Sequence, residues 1–308
     1  MDNAATRRRD IHRLPPLWNA ACHAIAGLFA FACVFPFLFV FIISLTDEET
    51  LSLNGYSIFP AKWSAAAYQY LFKTGDQLLR SYGITIFITI VGTAISLAVI
   101  SLYAYALSRK AFKYRGLFSF IAFFTLLFNG GLVPFYIVAT QLMHLKDSVW
   151  ALILPLTVNA FYILIMRTFF ATMVPDAIIE SGKMDGAGEF TIFARLVLPL
   201  SLPGLATIGL FSTLGYWNDW FNALLFIDEP KLVPLQSMLM RIENNMQFIL
   251  QNSNLLNSGG QGLEVIRSMP ADTARMAMVV LATGPIVLAY PFFQRYFIQG
   301  LTIGALKE

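Results

Sequence analysis

The chain has 308 residues, of which 57% are hydrophobic and only 13% charged, and its mean hydropathy is +0.65. Soluble domains hold about a quarter charged residues, so the composition excludes an ordinary water-soluble fold. The formal net charge of +3 carries topology information and points to no nucleic-acid partner.

Uncharged runs long enough to cross a bilayer, which takes about 20 helical residues, recur along the chain. The first, Leu14–Thr46, follows Arg7, Arg8, Arg9 and Arg13. Its apolar core exceeds the roughly 7–15 residues of a cleavable signal segment, which predicts an uncleaved helix over about 17–46. Cys22 and Cys33 both lie in it. Eleven positions apart on a helix they are about 16 Å from each other, beyond disulfide reach. Residues 47–79, with Asn54-Gly55, Pro60 and Trp63, read as an external stretch. Tyr82–Leu107 predicts a second helix (82–108) and Gly116–Met143 a third (116–143). After a short link at His144–Asp147, Ser148–Met166 predicts a fourth (148–171). Leu196–Asn218 predicts a fifth (196–223) and Met276–Gln294 a sixth (274–299), separated by an external loop over 224–275 with a polar centre at Asn244, Asn245, Gln251, Asn252, Asn254, Gly259 and Gly260. Hydrocarbon satisfies no backbone polar group, so spans must be helices or strands of a closed barrel. Barrel strands need only about ten alternating residues. The expectation is therefore one all-α integral membrane domain over 1–308.

Lys and Arg accumulate on the cytoplasmic side of a membrane protein. The link between the second and third helices carries Arg109, Lys110, Lys113 and Arg115 without an acid, and Arg167, Lys183, Arg195, Arg295 and Lys307 fall on the same side. The other side holds Lys62, Lys73, Arg80, Lys146, Lys231, Arg241, Arg267 and Arg275 over much more chain. Both termini and the segment around Glu180 are thus expected to be cytoplasmic, and the chain to be a multi-pass protein of a bacterial inner membrane.

Helix breakers occur at Pro36, Gly130-Gly131 with Pro134, Pro155, Pro203-Gly204, Gly284-Pro285 and Pro291. Gly and Pro permit close packing of membrane helices, and at Gly130-Gly131 a kink that shapes a cavity is an equal reading. Polar groups inside a membrane are costly and default to functional candidates. Asn129, Asn159, Tyr162, Tyr216, Trp217, Asn218, Asp219 and Asn222 fit that description and are candidates for a substrate pathway, with interhelical hydrogen bonding as the alternative. The chain has no Gly-x-x-x-x-Gly-Lys-Ser/Thr, since Gly182-Lys183 is followed by Met184. It therefore lacks a phosphate-cradling loop, and its three histidines form no zinc motif. No catalytic residue, metal or cofactor is assigned to it.

The densest signal is an island of charge between two apolar stretches: Glu180-Ser181-Gly182-Lys183-Met184-Asp185-Gly186-Ala187-Gly188, closed by Leu196-Val197-Leu198-Pro199. Asp176 after Pro175 favours a short helix, and Gly186 and Gly188 permit a turn after it. The spacing resembles the loop by which permease subunits of ABC importers dock on their ATPase, with Ser181 and Gly182 in place of two alanines. The six helices, the loop before the fifth and the long external loop before the sixth extend the resemblance to permeases of maltose-type sugar importers. Phe128–Pro134, Met166–Phe170, Leu198–Pro203 and Tyr216–Trp220 look like the subgroup for alginate and oligouronides. The resemblance implies ATPase docking at Glu180, Ser181, Gly182, Lys183, Asp185, Gly186 and Ala187 (coupling loop 175–195), and an oligo- or polysaccharide substrate of acidic type. It also implies a second homologous permease, two ATPase subunits that hold ATP and Mg, and an external solute-binding protein. The alternatives are a secondary transporter or channel, which would place ionisable residues deep in its helices, and a non-transporting membrane sensor.

Overall fold

A computed structural model describes residues 16–73, 75–251 and 270–305. Arg7, Arg8, Arg9, Arg13, Arg267, Lys307 and the polar positions Asn252, Asn254, Gly259 and Gly260 lie outside them. The described chain is almost entirely helical, with a single isolated β-bridge between Thr46 and Trp63. Three helices are long and apolar enough to cross a membrane as they stand: α1 (Pro16–Ser44), α4 (Gly75–Ser108), and the first part of the last helix, Ala271–Ala289. Three further crossings exist if each of three bent pairs counts as one.

Those bent pairs are where the structure departs from the expected continuous helices. The run at 116–143 becomes α5 (Arg115–Leu127) and α6 (Leu132–Leu142), turned by 114°. Gly131 at the break has φ +90°, a conformation costly for any residue with a Cβ, and Asn129 Oδ1 accepts from its N–H at 2.8 Å. The run at 148–171 becomes α7 (Val149–Thr157) and α8 (Ala160–Met173), bent by 49°. Asn159 caps the new start, its Oδ1 accepting from Phe161 N and Tyr162 N at 3.0 and 3.3 Å. After the short charged helix α9 (Asp176–Met184), α10 (Glu189–Leu200) begins before the expected 196 and meets α11 (Leu202–Trp217) at 83°. The fold here turns at Ser201, just before Pro203-Gly204. A short α12 (Phe221–Phe226) follows.

The expected loop 224–275 contains a helix, α13 (Leu235–Gln251). Leu235, Met238, Leu239 and Met246 are buried while Asn244 and Asn245 are exposed, the pattern of an amphipathic helix on an apolar support. Leu235 N donates to Thr85 Oγ1 at 2.8 Å. The segment before it is pinned by Asp147, whose Oδ1 accepts from Asp228 N and Glu229 N at 2.6 and 2.8 Å, and Lys146 pairs with Asp228 at 2.7 Å. Those two N–H groups, with Lys146 nearby, hold the Asp147 carboxyl below the usual carboxylate range. A depressed carboxylate contributes its hold above its unfolded pKa and loses it as pH falls through the folded value. A spin label at Lys231→Cys, with Cys22 and Cys33 replaced, should therefore stay immobile near pH 6 and loosen only once the pH has fallen below the ordinary carboxylate range. With Asp147→Ala, which removes the acceptor oxygen itself, it should be loose throughout. An equally immobile label in that variant would remove the role given to Asp147.

The contacts divide the chain into two compact units, one of Met1–Gln69 with Pro270–Val280 and one of Tyr70–Met269 with Leu281–Glu308. In the first, Asp47 N donates to Lys62 O at 3.1 Å and Ser64 N to Leu45 O at 2.8 Å, closing the segment after α1 on itself. Glu48, opening α2 (Glu48–Asn54), then caps the last helix, α14 (Ala271–Ala305). Its carboxylate accepts from Asp272 N and Thr273 N at 3.0 Å each and from Thr273 Oγ1 at 2.6 Å. Orphan N–H groups at a helix start need such acceptors. Glu48→Ala should destabilise the protein by about 1–2 kcal/mol, as lost caps do, against no measurable change for Glu49→Ala. Equal melting of the two variants in detergent would refute the cap.

In the second unit α4 is the central helix, packed along α7, α8 and α11. Its buried residues include the small or polar Ser81, Thr85, Thr89, Gly92, Ser96 and Ser101 beside the larger Leu78, Ile88, Ile100 and Leu107. Tyr216 of α11 fills the space over Gly92, and a Cβ there would lie 2.5–2.8 Å from three of its ring carbons. Large apolar residues such as Phe29, Phe87, Phe120 and Leu224 are exposed on the exterior, the reverse of a soluble protein and the condition of one solvated by lipid.

Candidate functional site

The charged segment singled out in the sequence forms a helix and a tight turn. Asp176 stands in the first turn of α9 and Lys183 in the last, each sign complementing the helix dipole. The end is closed by Asp185 N, Gly186 N and Ala187 N donating to Ser181 O, Lys183 O and Gly182 O, each at 3.0 Å. Gly186 takes φ +77° there, as a helix-terminating glycine does. Ile179 and Gly182 are buried, whereas Glu180, Ser181, Lys183, Met184 and Asp185 are exposed. Gly182 thus faces its own chain: a Cβ would lie 3.0 Å from Leu196 and 3.2 Å from Ile192. The absence of a side chain lets α9 rest directly on α10. Met184, which the sequence reading left out, is 88% exposed and adds an apolar contact to the charged rim.

Behind α9 the C-terminal end of α4 and Arg109 just after it supply a second set of contacts. Glu189 Oε1 lies 2.6 Å from Lys183 Nζ, and its Oε2 accepts from the Tyr105 hydroxyl at 3.0 Å. These partners, Lys183 first, hold the Glu189 carboxyl below its usual range. Arg109 Nη1 is 3.6 Å from Asp176 Oδ1, and Nη2 donates to Phe170 O at 3.3 Å. None of Tyr105, Arg109 and Glu189 was a sequence candidate. Glu189 stands 84 positions from Tyr105, and no local pattern pairs them.

The pathway candidates fall in different places. Asn129 and Asn159 serve their own backbones, as described, and remain exposed. Tyr162 stacks on Phe211, with ring centroids 6.1 Å apart. Tyr216 is fully buried, its hydroxyl donating to Ile153 O at 2.9 Å beside Ser96 and Thr157. Trp217 Nε1 donates to Ala282 O at 2.8 Å. Asn218 Nδ2 donates to Leu214 O at 3.0 Å, and Asp219 accepts from Asn222 Nδ2 at 3.0 Å. None of the eight lines the mostly apolar cavity of about 820 Å³ between α4, α10 and α11, whose polar members are Thr89, Thr93, Ser101 and Thr213.

The described residues thus form a helical scaffold with large apolar residues outside and one short charged helix presented on it. Residues 99–303 match the family described as "Binding-protein-dependent transport system inner membrane component", and the chain belongs to it. It is 38% identical over 291 residues to the polygalacturonan/rhamnogalacturonan transport system permease protein YtcP of Bacillus subtilis, covering 94% of this chain and 98% of that one. It is 38% identical over 274 residues to Protein LplC of the same organism, covering 89% of each. Among solved structures, a chain of a bacterial ABC transporter involved in the import of the acidic polysaccharide alginate superposes with a TM-score of 0.75. The two are 27% identical, and the match covers 91% of this chain and 96% of that one.

Proposed function

We propose that this chain is one permease half of an ATP-driven importer of an acidic oligo- or polysaccharide. The observation that carries the reading is the exposed helix Asp176–Met184 with its ordered glycine turn, on a membrane chain whose sequence has no ATP-binding loop. ATP and Mg belong in this reading to two ATPase chains that receive Glu180, Lys183 and Asp185. A second, homologous permease chain completes the pathway, and a solute-binding protein delivers the sugar at the 224–275 side, where Asn244 and Asn245 of α13 are exposed. Both termini, the 108–115 link and α9 are cytoplasmic in this arrangement. Closure of the ATPases displaces α9, and the helices rock so that a cavity faces each side in turn. The acidic substrate class rests on the polyuronate named for YtcP and the alginate named for the structural relative. The lining of the α4–α11 cavity contains no Lys or Arg, so carboxylates cross hydrated or meet cations of the second permease chain.

Affinity isolation from native membranes tests the reading. Co-isolation of an ATPase and a second permease, with ATP-dependent uptake of oligogalacturonides in preference to maltodextrins of equal length, is the expected result. A stable solitary chain overturns the importer, and a preference for the neutral sugar overturns only the acidic substrate.

A further inference from the structure

We infer that Tyr105, Arg109 and Glu189 are positioning residues that fasten both ends of the docking helix to α4, so that movement of α9 drives the central helix directly. The inference rests on the importer reading for its functional part. Covalently, α9 is joined only to α8, through Val174-Pro175, and to α10, through the turn at Gly186. A push on it would therefore reach α4 only through side-chain packing. Two polar ties alter this. At its start, Asp176 faces Arg109 and Lys110, each at 3.6 Å, and Arg109 is held by Phe170 O and by the Tyr105 ring, 5.3 Å away. At its end, Lys183 reaches Glu189, and Glu189 reaches the Tyr105 hydroxyl.

Stability alone does not account for this arrangement. The Lys183 and Glu189 side chains are 48% and 60% exposed, and exposed pairs contribute little to folding. The tie matters through its anchor. Tyr105 is 8% exposed and sits in the core cluster with Phe170, Ile192 and Phe193, so its hydroxyl has little freedom to follow Glu189 unless α4 moves. Packed interiors transmit displacement rather than absorb it, and α4 runs from this cluster along α7, α8 and α11.

Tyr105→Phe removes the donating hydroxyl and Glu189→Met removes both acceptor oxygens, each at similar side-chain volume. In the purified full chain in nanodiscs, amide exchange across 176–184 should quicken several-fold in each variant, with no partner required. Unchanged exchange overturns the tie itself. In the co-isolated complex, each variant should retain its ATPase chains but move about fivefold less oligogalacturonide per ATP hydrolysed, near the low end of coupling between distant sites. The double variant should be no worse than either single one, because both break one link. A wild-type transport-to-ATP ratio, additive losses or loss of the ATPase chains overturns the coupling role. A wild-type preparation with no ATPase overturns the importer reading and the coupling role together, and leaves the tie to be judged by exchange.

Discussion

Reversing the charge at Glu180 (Glu180→Lys) is expected to lower saccharide uptake by about 30-fold or more, the consequence of roughly 2 kcal/mol at a docking contact where attraction becomes repulsion. Glu180 is exposed on α9, and its side chain supports none of the turn that closes the helix, so membrane insertion and melting should be unaffected. ATP hydrolysis, if the complex still assembles, should continue without transport. Glu49→Lys, an exposed charge reversal outside the docking helix, controls for net charge. Uptake by the Glu180 variant at the wild-type rate would remove this residue from the docking surface.

The second large effect is on stability. Gly92→Ala places a methyl 2.5–2.8 Å from Tyr216 ring carbons, where carbon contacts prefer about 3.5–4.0 Å. The ring is 1% exposed and tied to Ile153 O, so α4 and α11 must separate. Overpacking of a close-packed site costs about 1–3 kcal/mol and occasionally more, while the gain in helix propensity from Gly to Ala is about 1 kcal/mol. The upper end applies because three ring atoms are met at once, which leaves a net loss of about 2 kcal/mol. Gly83→Ala, with open space around the new methyl, should melt at or slightly above the wild-type temperature. Gly92→Ala/Tyr216→Leu should recover most of the loss. A Gly92→Ala protein that melts with Gly83→Ala would show that the two helices are not closely packed there.

How far the sequence could be read depended on where the information lay. Uncharged runs mark bilayer-crossing material because charge is excluded from hydrocarbon, and α1, α4 and α14 lie over three of them. The short helix at 176–184 and the turn at Gly186 were legible because the charges and glycines that mark them are all local. The bend at Gly130-Gly131 was one of two equal readings, and those at Val158-Asn159 and Ser201 were not read, because Gly and Pro also occur in helices that continue. Whether Asn159 caps a helix or faces a pathway depends on a backbone direction that composition does not encode. The inward side of Gly182 depends on Ile192 and Leu196 lying across the turn. The link from Tyr105 to Glu189 joins positions 84 apart, and only the fold makes them neighbours.

The cap that Glu48 places on the last helix spans 225 positions. A ribosome must make nearly the whole chain before Asp272 and Thr273 exist to receive it. Until then Glu48 lacks that partner, and the ordering of such remote segments must wait for the chain to supply both ends. A translation product that stops before residue 270 contains α1 and α4 but cannot close its first unit. The contact therefore ties the closing of the first unit to the synthesis of residues 272 and 273.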